Sequence, residues 1–132
     1  MTSKVTYLGD LRTENVHVKS GISYLTDAPV DNQGKGEAFS PTDTVATGLA
    51  NCMLTIMGIK AGQMDLSIKG TEAVVTKTMS ADPRRISKIK VEFNFPDALD
   101  VKSQKILEHT ANTCPVHYSL HPDIEKEVIF NW

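Results

Sequence analysis

The stretch Ser40-Pro41-Thr42-Asp43, continuing through Thr44 and Val45 to Gly62, decides the fold. Ser40 carries the hydroxyl an N-cap needs. Pro41 suits the first helical position, where its missing N–H would have no partner anyway. Asp43, three residues after the cap, stands in the acidic place of a capping box. A helix is therefore predicted from here. Val45, Leu49, Cys52, Met53, Ile56 and Ile59 recur at helical spacing and mark a buried stripe. The helix is expected to reach about Gly62, roughly 30 Å at 1.5 Å per residue. Residues 44–59 are apolar, but they are shorter than the roughly 20 residues of a bilayer span and contain Asn51 and several threonines, so a buried central helix is expected. Ala46, Thr47, Gly48, Ala50 and Asn51 are small. Gly48 costs a helix about 1 kcal/mol relative to alanine, which points to another backbone approaching closely there.

Upstream, Val5-Thr6-Tyr7-Leu8 alternates and Gly9-Asp10 signals a turn. Residues 14–19 and 22–26 flank Ser20-Gly21 as a hairpin. Residues 27–37, with Pro29, Gly34 and Gly36, read as an exposed loop. Downstream, residues 67–78 and 86–95 read as two longer strands joined through Asp82-Pro83-Arg84-Arg85 and stopped by Pro96-Asp97. Residues 101–112 form an amphipathic pattern with Ile106 and Leu107 on its inner face. Cys114-Pro115 opens a short helical segment, and Glu127-Val128-Ile129-Phe130 is a terminal strand. Strands, long helix, strands, helix and strand predict an α+β fold with a mainly antiparallel sheet, as a single domain over residues 1–132. A domain of this size gains from dimerisation.

Hydrophobic residues at 40% and charged residues at 23% are those of an ordinary globular chain. A net charge of −2 and a pI of about 6.0 give no electrostatic case for nucleic acid or an anionic membrane as partner. Residues 1–7 carry no apolar signal core, so a cytoplasmic location is expected. With only two cysteines a disulfide scaffold is excluded, and in a reducing compartment any pairing between them is transient and chemical.

Those two cysteines are the candidates for chemistry. Cys52 falls on the apolar stripe, where free cysteine is also a common small core residue. Cys114 precedes Pro115 and so stands at or before a helix N-terminus, a position that favours the thiolate and lowers a thiol pKa. His117 and His121 follow, but zinc needs three or four converging ligands and the spacing offers none of the usual patterns. A Cys-His hydrolase has no oxyanion-hole signal to support it.

The segment Gly36-Glu37-Ala38-Phe39-Ser40-Pro41-Thr42-Asp43, the small residues 46–51 leading into Cys52, and Thr113-Cys114-Pro115-Val116 together resemble the osmotically-inducible-protein-C and organic-hydroperoxide-resistance (OsmC/Ohr) family over nearly the whole chain. The resemblance implies an intertwined homodimer, with two long helices crossing at the centre and sheets mixing both chains. It implies a thiol peroxidase without a bound cofactor. Cys52 would attack an organic hydroperoxide, Cys114 would resolve the product as a disulfide, and an external dithiol such as a lipoylated protein would reduce it. Leu49, Met53 and Ile56, around Cys52, would receive the alkyl tail. Because burial disfavours a thiolate, a cation must serve Cys52, and the family's arginine maps to Arg12. Family members often carry a glutamate ten residues before the first cysteine. Here Thr42 stands in that place and Asp43 follows it. Asp43 lies about 13 Å from Cys52 along one helix and would reach such a site only from the partner of an antiparallel dimer. Two further readings stand beside the peroxidase: a binding module whose cleft holds a small apolar or thiol-reactive ligand, and a thiol that detoxifies electrophiles.

Overall fold

The computed structural model describes residues 1–132 and divides into two compact units, Met1–Val45 and Ala46–Trp132.

The first unit is an antiparallel meander of β1 (Ser3–Gly9), β2 (Arg12–His17) and β3 (Ser23–Asp27), in that order across the sheet. The β1–β2 turn carries left-handed conformations at Gly9, Asp10 and Leu11, with φ of 85°, 51° and 61°. The second turn closes with His17 N–H donating to the Ile22 carbonyl and Gly21 N–H to the His17 carbonyl, both at 2.8 Å. This hairpin sets Arg12 opposite Asp27. The guanidinium donates to both Asp27 carboxylate oxygens, Nε at 2.7 Å and Nη2 at 2.8 Å. Asp27 is buried, at 1% exposure. Its predicted place in an exposed loop is therefore corrected. Asp27 ends a strand, its charge is matched by Arg12, and its N–H donates to the Phe39 carbonyl at 3.0 Å. The loop beyond it holds a 3-10 turn, Val30–Asn32. Gly34 is required there, since a side chain would run into the Ala28 carbonyl oxygen 1.7 Å away. The sheet leaves large apolar groups exposed. Val5 and Tyr24, both paired with Asn15, share one face with Tyr7, and all three are more than half exposed.

The predicted capping box opens α1 (Pro41–Gln63). Ser40 N–H donates to the Asp43 carboxylate at 2.9 Å and Asp43 N–H donates to Ser40 Oγ at 3.1 Å. By length and composition alone α1 is long and apolar enough to span a bilayer. One of its faces instead supplies the core of the second unit.

That unit holds a sheet ordered β4 (Glu72–Ser80), β5 (Arg85–Asn94), β6 (Glu125–Asn131), with β4–β5 antiparallel and β5–β6 parallel. A parallel pair needs a long crossover. Here α2 (Val101–Ala111) and α3 (Pro115–Ser119) supply it. The core joins Ala46, Leu49, Ala50, Met53, Met57 and Ala61 of α1 to Ile89, Val91 and Phe93 of β5, with Leu107 and Ala111 of α2. Phe93 stacks on Phe130 and Phe95 on Trp132. The Trp132 indole N–H donates to the Glu108 carboxylate at 2.9 Å, tying the last residue to α2.

Four expectations change in this unit. The buried stripe of α1 runs through Ala46, Leu49, Ala50, Met53, Met57 and Ala61, because alanines and flexible methionines fill the close face. Cys52 and Ile56 fall at its half-buried margin, and Val45 and Ile59 are exposed. No group of this chain approaches Gly48 closely. The strand expected from residue 67 begins at Glu72, after a turn in which Thr71 N–H donates to the Ile68 carbonyl. On α2, Leu107 points inward as expected, but its buried companions are Ser103 and Ala111, with Ile106 at the edge.

Asp27→Asn tests the hairpin clamp. Arg12 holds the Asp27 carboxyl below the usual carboxylate range. The stability this contributes is present above the ordinary aspartate pKa and is lost as pH falls through the depressed one. The variant is expected to melt several degrees below the parent at pH 7, with the gap narrowing below about pH 4. Thermal unfolding followed by circular dichroism at pH 7 and pH 3 checks this.

Candidate active site

Cys52 sits on α1, half-buried, where it packs against the core of the second unit. Cys114 is fully buried and caps α3. Its backbone is extended, with φ −69° and ψ 145°, Pro115 takes the first helical position, and Sγ accepts the His117 N–H at 3.2 Å. The chain reaches this cap directly from α2, Cys114 N–H donating to the Ala111 carbonyl at 3.3 Å. Both thiols are free. Cys52 is near enough to influence the ionisation of Cys114, so the structure sets the two sulfurs that the sequence singled out in one neighbourhood.

The expected lowering of the Cys114 pKa is corrected. Burial, the largest influence, pushes this thiol up. The His117 N–H opposes the shift, but hydrogen bonding and charge repulsion from the Cys52 sulfur add to it. A helix of five residues contributes one backbone N–H, not a long macrodipole, and desolvation of the thiolate outweighs it. Cys114 therefore holds its proton, and Cys52 is the more exposed of the two sulfurs. Burial, followed by the charge of Lys126, lowers the pKa of the half-buried His117, so this imidazole is neutral at pH 7. No three His, Cys, Asp or Glu side chains converge to hold a metal ion.

The other predicted site residues have definite places. Leu49 and Met53 are fully buried in the core and Ile56 is half-buried at its margin. Arg12 and Asp43 belong to the first unit. Asp43 serves the α1 cap. Arg12 bonds Asp27 and also donates to Glu37 at 3.2 Å, and these two carboxylates hold the guanidinium protonated even more firmly than usual. Residue-by-residue reading missed Asp27 and Glu37. The hairpin register was the available signal for Asp27, since pairing His17 with Ile22 sets Arg12 against Asp27 a few rungs away.

A small α+β chain with one thiol on a long apolar helix and a second at the cap of a short one defines a class of paired-thiol proteins. The model of the OsmC-like protein family matches residues 34–128, and the chain belongs to that family, the OsmC/Ohr proteins. A solved structure from Psychrobacter arcticus, provisionally named an osmotic stress induced and detoxification response protein, is 60% identical. The alignment covers 99% of this chain and 96% of that one, with a TM-score of 0.97. An organic hydroperoxide resistance protein OsmC from Legionella pneumophila shares the fold at 14% identity, with 100% and 98% coverage and a TM-score of 0.78. A Vibrio cholerae organic hydroperoxide resistance protein with captopril bound in one of its active sites does so at 17% identity, with 99% and 92% coverage and a TM-score of 0.73. No curated protein matches the chain.

The order of ionisation is open to measurement. Iodoacetamide is expected to alkylate Cys52 before Cys114, with Cys114 at least about tenfold slower at pH 7. The Cys114 rate should keep rising above pH 9. Cys52→Ser should bring the Cys114 pKa down only part of the way, since burial remains. Peptide mass spectrometry across pH 6 to 10 gives both rates, and faster labelling of Cys114 at pH 7 would contradict this ordering.

Proposed function

We propose that this protein is a cysteine-based thiol peroxidase that reduces organic hydroperoxides. The observation that carries the reading is the neighbouring pair of free thiols with the proton held on Cys114. In this mechanism the Cys52 thiolate attacks the distal peroxide oxygen. The O–O bond breaks, the alkoxide takes a proton and leaves as an alcohol, and Cys52 becomes a sulfenic acid. Cys114 then attacks the oxidised sulfur, forming the Cys52–Cys114 disulfide and releasing water. An external dithiol, such as a lipoylated protein, reduces the disulfide and is itself oxidised. The net reaction is hydroperoxide plus dithiol giving alcohol, water and a disulfide. Relatives named organic hydroperoxide resistance proteins support this substrate class. Two unpaired thiols suit the reducing cytoplasm.

The working form in this reading is a homodimer. Val45 and Ile59 stand 43% and 58% exposed on α1, Gly48 and Gly58 leave open space beside that helix, and the first sheet exposes Val5, Tyr7 and Tyr24. Apolar surface on this scale in so small a chain calls for a covering partner. A second reading, a binding module for a small apolar or thiol-reactive ligand without turnover, is favoured by one observation. Arg12, the cation expected to serve the thiolate, already has two carboxylates as partners.

Cumene hydroperoxide with dithiothreitol separates the two readings. One equivalent of peroxide is expected to convert the protein to a form lighter by two hydrogens per chain, with Cys52 and Cys114 joined. Cys52→Ser should abolish peroxide loss, and Cys114→Ser should leave a sulfenic acid that dimedone traps. Intact-mass spectra showing both thiols unmodified would overturn the peroxidase. Ligand-dependent stabilisation surviving in the double serine variant would then favour the binding module.

A further inference from the structure

Between the last turn of α1 and the outer face of α2 lies an open groove of about 810 Å³. Its lining includes Lys60 from α1, and Lys102, Lys105 and His109 from α2, around Val101 and Ile106. Steps of three and four residues set these α2 positions on one helical face. The three lysines make no ion pair within the chain, although the chain as a whole carries a net charge of −2. The carboxylates of α2 and its cap are engaged elsewhere. Asp100 accepts the Ser103 N–H at 3.0 Å and the Ser103 hydroxyl at 2.6 Å, and Glu108 accepts the Trp132 indole N–H. The Thr110 hydroxyl, also at the groove, donates to the Ile106 carbonyl and so does not compete for a ligand.

Three like charges lining one groove repel one another, and a bound anion relieves that repulsion. Between them Val101 is 65% exposed and Ile106 is half-buried, so an apolar strip runs beneath the charges. Lysine stems lie readily along such a strip while their ammonium groups stay in water. The volume falls within the range of small-molecule sites.

We propose that this groove binds a single-chain amphiphilic anion, the headgroup among Lys60, Lys102 and Lys105 and the alkyl chain along Val101 and Ile106. Neither Cys52 nor Cys114 lines the groove, so the site stands or falls apart from the thiol chemistry. A fatty carboxylate and an alkyl phosphate share the required features. The groove is open but lined from two helices, which suits one free chain.

The test is an NMR titration of the ¹⁵N-labelled protein in its native oligomeric state with dodecanoate below its micelle concentration. Dodecyl phosphate, dodecanol, inorganic phosphate and phosphatidylglycerol vesicles are run in parallel. Dodecanoate and dodecyl phosphate are expected to saturate, with shifts centred on residue 60 and residues 101–110. Dodecanol and inorganic phosphate should bind at least about tenfold more weakly. Lys102→Glu/Lys105→Glu should weaken dodecanoate by at least about tenfold. Lys60→Glu, on the other helix, should weaken it too, which keeps the test decisive if the double variant is unstable. Equal binding of dodecanol, shifts centred elsewhere, unchanged affinity in both variants, or binding to vesicles alone would overturn the proposal.

Discussion

The two free sulfurs are neighbours because α1 and α2 pack with β5 in one buried cluster. Met53 and Met57 of α1, Leu107 and Ala111 of α2, and Ile89, Val91 and Phe93 of β5 are all fully buried in one cluster that also contains Cys114. Cys52 is one residue from Met53, and Cys114 is joined to α2 through its bond to the Ala111 carbonyl. The sulfur pair is thus positioned chiefly by apolar packing, with the His117 N–H and the Ala111 carbonyl as the polar contacts of Cys114. Truncation at Leu107 would loosen the site as well as the core, since a cavity of that size costs about 2–5 kcal/mol and lies in the cluster that also holds Cys114.

The first unit is built on a different interaction. Its meander buries little apolar surface of its own, and its buried side chains include Thr26, Asp27 and Ser40. What stiffens it is the two-pronged bond between Arg12 and Asp27 across β2 and β3, with Glu37 reaching the same guanidinium. A buried carboxylate is tolerable only because this geometry satisfies it. Lysine could not replace Arg12 without losing the planar fork that meets both carboxylate oxygens.

Elements governed by local chemistry were legible in the sequence. The capping box at Ser40 and Asp43, the hairpin about Gly21, the alternation of β5 and the cap at Cys114 all depend on residues a few positions apart, and each is present. Features set by long-range packing were not legible. Helical spacing alone cannot choose between a stripe centred on Cys52 and one shifted slightly around the helix. The choice fell to Ala46, Ala50 and Ala61, small enough to allow close contact, and to Met57, which adapts to the space left. The parallel pairing of β6 with β5 likewise follows from the crossover through α2 and α3. The thiol pair was legible as two candidates, but their proximity was not, because no local rule relates Cys52 to Cys114.

Cys114 also shows why a position rule has to be weighed against burial. A cysteine at a helix N-cap is expected to ionise easily, and the His117 N–H does favour its thiolate. That N–H acts on a sulfur with no solvent exposure, and removing a small anion from water costs more than one backbone donor returns. The neighbouring sulfur then turns this penalty into a division of roles. Two equal thiols would share a negative charge indifferently, whereas here the buried one retains the proton and the half-exposed one is left to meet a reagent. In the proposed cycle the backbone donor at Cys114 would become important only later, when that sulfur gives up its proton to attack. Within that proposal the cap is better suited to the second step of the cycle than to the first.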